Sequence, residues 1–142
     1  MENKGRNHFI IVDDEDAIRD FLRQFAERAD SECDIYEAKN GEECYNRLRE
    51  LSKNGSYGKI FMTVDHGMPN LTGLDMLRKV KDTGLAKKFG DKLMTYMIFS
   101  EHQDYGEEIG IAAVEEGLAK GYRIKPASGM EIAALSRKHF TA

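Results

Sequence analysis

Four consecutive acidic residues, Asp13-Asp14-Glu15-Asp16, stand directly after the apolar run Phe9-Ile10-Ile11-Val12. Carboxylates crowded into so small a volume repel one another, and a cation relieves that cost. Oxygen-only ligands select a hard ion, Mg²⁺ above all. The competing reading is a helix cap that also complements the helix dipole. We assign the cap to Asp16 and the cation to Asp13 and Asp14. A second apolar run, Ile60 to Val64, ends in the single carboxylate of Asp65, followed by His66-Gly67-Met68-Pro69-Asn70-Leu71-Thr72-Gly73. A third, Met94 to Phe99, ends at Ser100, and Tyr122-Arg123-Ile124 runs into Lys125-Pro126. Three aspartates, a hydroxyl and an ammonium thus terminate four apolar runs.

Those groups can act together only if the runs that carry them lie side by side. Five short apolar runs, counting Ile35-Tyr36-Glu37-Ala38, alternate with amphipathic stretches. Ile18, Phe21, Leu22 and Phe25 fall at helical spacing and predict one apolar stripe. Cys44, Leu48 and Leu51 repeat the spacing after Asn40-Gly41. Leu74, Leu77 and Val80 do so after Thr72, with Asp75 three residues beyond that cap. A fourth helix is expected over Tyr105 to Glu116. A fifth opens at Ser128 and Glu131 and runs through Ile132 and Leu135. Strand and helix alternating five times predict an α/β fold: a five-stranded parallel sheet, doubly wound, with helices on both faces. Ligand chemistry in such a sheet belongs at the carboxyl ends of the strands, where the strand order reverses. That is where the acidic residues, the serine and the lysine fall.

Composition narrows the function classes. A length of 142 residues fits a single domain over 1–142, with its core at about 8–140 and no output domain. The formal charge of −4, with both signs interspersed, gives no reason to expect nucleic-acid or anionic-membrane binding. Cys33 and Cys44 lack a paired-ligand spacing, so neither a disulfide scaffold nor a zinc site is expected. The N-terminus has no apolar run of a signal peptide, and no stretch reaches the roughly 20 apolar residues of a membrane span. A cytoplasmic protein is the expectation. His8 and His139 read as surface or strand-edge residues, and His66 as a neighbour of Asp65 without a catalytic role.

From about Phe9 to the last helix the chain resembles the receiver domain of two-component response regulators. The resemblance rests on Val12-Asp13-Asp14, on Asp65 with Met68-Pro69 and Gly73, on Ser100, and on Tyr122-Arg123-Ile124-Lys125-Pro126. It implies a flavodoxin-like fold and a signalling module that catalyses only its own phosphotransfer and dephosphorylation. In that reading Asp65 is the phosphoacceptor. Mg²⁺ is bound by Asp14, Asp65 and the backbone carbonyl of Gly67, with Asp13 reaching it through water. Lys125 and Ser100 contact phosphoryl oxygens, the Lys125–Pro126 peptide is cis, and Ser100 with Tyr122 forms the switch. A sensor histidine kinase or phosphotransfer protein supplies the phosphoryl group. A target in trans reads the face of the fourth helix, fifth strand and fifth helix, a face that could also support a homodimer.

Two departures from the family pattern are Glu101, where a small residue is usual, and Ala127, where an aromatic is common. Glu101 keeps open a degenerate receiver that binds partners without phosphorylation. An aspartyl-phosphate hydrolase of the haloacid dehalogenase type would need a second aspartate two residues after the nucleophile, and Gly67 stands there.

Overall fold

The apolar runs become five parallel strands in the computed structural model, which describes residues 5–99, 106–124 and 129–142. They are β1 (His8–Val12), β2 (Asp34–Ala38), β3 (Ile60–Val64), β4 (Leu93–Phe99) and β5 (Gly121–Ile124). Their order across the sheet is β2-β1-β3-β4-β5, the flavodoxin-like arrangement. Every residue of β1 and β3 is buried, which explains their unbroken apolar character. Alternate side chains feed two cores. Ile10, Val12, Met62 and Val64 face α2 (Gly41–Asn54), α3 (Gly73–Asp82) and α5 (Gly106–Glu115). Phe9, Ile11 and Phe61 face α1 (Asp16–Ala29) and α6 (Gly129–Thr141).

The helix starts follow local chemistry. Asn40 Oδ1 accepts from the Glu43 amide at 2.8 Å, and Glu43 Oε1 accepts from the Lys39 amide at 2.8 Å. Thr72 Oγ1 accepts from the Asp75 amide at 3.2 Å, as its spacing predicts. Ser128, the expected cap of the last helix, lies outside the described residues. Its partner in the motif, Glu131, sits 3.1 Å from Arg123.

Three expectations are corrected. A short helix, α4 (Leu85–Phe89), follows α3, so the chain is not a simple fivefold βα alternation. Gly84, at φ 86°, turns the chain out of α3, and Leu85 and Phe89, four apart, are buried in the core. The predicted fourth and fifth helices are therefore α5 and α6. The α1 stripe is rotated: Arg19, Leu22, Ala26 and Ala29 are buried, while Phe21 is 43% exposed. Finally, His8 and His139 are buried rather than superficial. His139 Nε2 lies 3.1 Å from the Ile60 carbonyl and 2.9 Å from that of Lys92, tying α6 to the starts of β3 and β4.

Candidate functional site

Strands β1 and β3 are neighbours in register, with Val12 opposite Val64. The chain leaves β1 toward β2 on one side and later enters β3 on the other, so the strand order reverses between them. Asp13 and Asp65 are the residues that follow on each strand at that crevice. Their backbones continue the ladder: the Asp65 amide donates to Val12 O at 2.9 Å and the Asp13 amide to Ala38 O at 3.1 Å.

Asp13 and Asp65 are 2% and 5% exposed, whereas Asp14 is open to solvent. Asp13, Asp14 and Asp65 each offer one carboxylate oxygen, and these oxygens lie within 4.8 Å of one another. Three oxygen donors converging from two strand ends fit a hard divalent cation. Asp16 does not cap the first helix. Glu15 holds the cap position without a side-chain hydrogen bond, and Asp16, in the first turn, pairs with Arg19.

The segment after Asp65 is tightly wound. The Met68 amide donates to His66 O and the Leu71 amide to Pro69 O, both at 2.8 Å. Asn70 adopts φ 71°, a left-handed conformation that asparagine tolerates better than most residues. The Gly73 amide donates back to His66 O at 3.0 Å. His66 accepts the Leu74 amide at Nδ1, 3.3 Å away, so its ring holds the start of α3; burial lowers its pKa. Gly67 lies exposed within this loop, two residues beyond Asp65.

Tyr122 is half-buried on β5. Its ring meets Phe99 edge-on, with centroids 6.2 Å apart at 68°, and covers Gly110 of α5. Ser100, Lys125, Pro126, Glu101 and Ala127 lie outside the described residues.

Sequence reasoning missed Arg19. It is 7% exposed, and its guanidinium donates to the Asp13 carbonyl at 2.8 Å, to Glu37 Oε1 at 3.2 Å and to Asp16. The signal was present in the spacing, since Arg19 falls three residues before Leu22 and seven before Ala26. Both cysteines are buried thiols, pushed by burial to about 11 for Cys33 and about 12 for Cys44. Thiols of that kind are poor ligands and nucleophiles at neutral pH.

Comparison with known proteins agrees with this fold. The response regulator receiver domain family model matches residues 9–136. The transcriptional regulatory protein SrrA of Staphylococcus aureus is 37% identical over 76 residues, which are 54% of this chain. The chain spans only 28% of the length of that relative. A two component response regulator from Cytophaga hutchinsonii superposes with a TM-score of 0.77 at 17% identity, over 97% of this chain and 99% of that one. A CheY-like receiver domain protein from Methanospirillum hungatei JF-1 gives 0.71 at 18% identity, over 95% and 94%. At such identities the likeness establishes the fold.

Proposed function

The chain belongs to the response regulator receiver domain family, and we propose that it is a phosphoacceptor of a histidine–aspartate relay with Asp65 as the modified residue. The observation that carries this reading is the convergence of the Asp13, Asp14 and Asp65 carboxylates where the strand order reverses. A carboxylate oxygen of Asp65 bonds to the phosphorus of a phosphohistidine while the P–N bond breaks. The imidazole leaves with the bonding pair and takes up a proton at that nitrogen. The burial of Asp65 at the floor of the crevice restricts its partners to groups that enter along the rim.

Asp14, Asp65 and the Gly67 carbonyl would hold Mg²⁺, with Asp13 acting through water. When bound, the ion offsets the charge of an anionic phosphoryl group beside a carboxylate. Lys125 and Ser100 are assigned to the phosphoryl oxygens from the family resemblance. A sensor histidine kinase or phosphotransfer protein is the donor.

The output surface in this reading is α5, β5 and α6. Ile111, Val114, Ile124 and Met130 are exposed there, Met130 by 73%, and such apolar side chains suit a protein partner in trans or a second copy. Tyr122, lying between Phe99 and Gly110, links that surface to the end of β4. Phosphorylation would shift the population of its rotamers.

Titration with Mg²⁺ and beryllofluoride, followed by amide NMR, tests the proposal. Shifts at Asp13, Asp14 and Asp65 that extend into α5, β5 and α6 are expected. No Mg²⁺-dependent change would favour a degenerate receiver that binds partners without phosphorylation.

A further inference from the structure

We propose that Arg19 is a positioning residue for the cation site, acting through the main chain of Asp13; the metal part of this inference rests on the function proposed above. Arg19 reaches three partners in three directions. Nη1 donates to the Asp13 carbonyl at 2.8 Å, Nε to Glu37 on β2 at 3.2 Å, and Nη2 to Asp16. Glu37 is itself held from outside by Arg23, at 2.6 Å through its other oxygen. Asp13 is thereby held at its amide, its carbonyl and one carboxylate oxygen. Its amide is bonded to Ala38, its carbonyl to Arg19, and its Oδ1 accepts from the Glu15 amide at 3.0 Å.

Only a guanidinium supplies those donors from one planar group, and at 7% exposure it works in a poorly screened environment. A buried cation beside four acidic residues would weaken Mg²⁺ binding if charge were all that mattered. Anchoring the ligand loop has the opposite effect, because ligands held in place bind metal more tightly. The two roles therefore predict changes of opposite sign when the cation is removed.

Mg²⁺ affinity of the full chain, measured by calorimetry, separates them. Arg19→Gln should weaken binding about tenfold or more, the range seen when an outer-shell partner is lost. Arg19→Lys, which keeps the charge but not the fork, should weaken it in the same direction and covers the case in which Arg19→Gln does not fold. Arg23→Gln, which shares Glu37 but does not touch Asp13, should leave affinity within about twofold. Unchanged or tighter binding in both Arg19 variants, or an equal loss in Arg23→Gln, overturns the proposal. A second readout needs no metal: the Glu15 amide should exchange with solvent faster in both Arg19 variants while core β1 amides do not. If the unaltered chain binds no Mg²⁺, the metal reading fails, and the exchange of Glu15 alone decides whether Arg19 anchors the loop.

Discussion

Gly73, the first residue of α3, packs so closely on Asp65 that a β-carbon there would overlap the Asp65 carbonyl oxygen and lie 2.9 Å from its carbonyl carbon. Val64 Cγ1, at 3.0 Å from the same point, closes the space further. The helix that follows Asp65 is thus set against the main chain of Asp65 itself. Backbone cannot give way as a flexible side chain can. Gly73→Ala should therefore destabilise the fold by about 1–3 kcal/mol and lower Mg²⁺ affinity. Urea unfolding and metal titration on the same variant check both effects.

Thr63, on β3 two residues before Asp65, is buried, and its Oγ1 has no hydrogen-bond partner among the described residues. Leaving a hydroxyl in that state costs free energy that an apolar group of the same shape does not. Thr63→Val should raise unfolding stability by about 1 kcal/mol, read as a higher urea midpoint with an unchanged slope.

Burial is the largest cause lowering the pKa of His8, His66 and His139 below the ordinary 6.5. The unfolded chain therefore binds protons in a range where the folded chain does not. Stability should be flat above about pH 7.5, fall as pH drops through 6.5, and level off once the folded histidines also protonate. His139→Gln, which can still donate to the Ile60 and Lys92 carbonyls, should make the fall shallower. Urea midpoints at pH 7.5, 6.5 and 5.5 measure this, and equal midpoints would contradict it.

A β-carbon on Gly110 would overlap the ring of Tyr122, 2.6 and 2.7 Å from its two Cδ atoms and closer still to Cγ. Gly110→Ala should displace that ring from Phe99 while leaving the Asp13, Asp14 and Asp65 cluster untouched. The expected outcome is unimpaired Mg²⁺ binding together with loss of the beryllofluoride-dependent amide shifts on α5, β5 and α6. Amide NMR of the variant reports both regions at once.

The sheet type and the meeting of three aspartates were legible because β1, β3 and most of β4 are apolar runs buried on both faces. The strand ends then fix which side chains share a rim. Helix α4 escaped notice because five residues between two glycines of positive φ are too short to show a period. The rotation of α1 escaped because Arg19 occupies a buried stripe position that hydrophobicity alone assigns to solvent. Phe21 and Phe25, whose rings lie 5.2 Å apart, drew the stripe toward themselves. Asp16 read as a cap because nothing in its neighbourhood revealed that Arg19 would turn inward and take it as a partner. His139 looked superficial because its acceptors, the carbonyls of Ile60 and Lys92, are distant in sequence.

Whether Asp65 is the phosphoacceptor is decided by intact-mass spectrometry after incubation with Mg²⁺ and acetyl phosphate. The unaltered chain should gain the mass of one phosphoryl group, lose it on mild base treatment as an acyl phosphate does, and gain none without Mg²⁺. Asp65→Asn should gain none under any condition. An unaltered chain that stays unmodified, or an Asp65→Asn variant labelled to the same extent, would contradict the assignment.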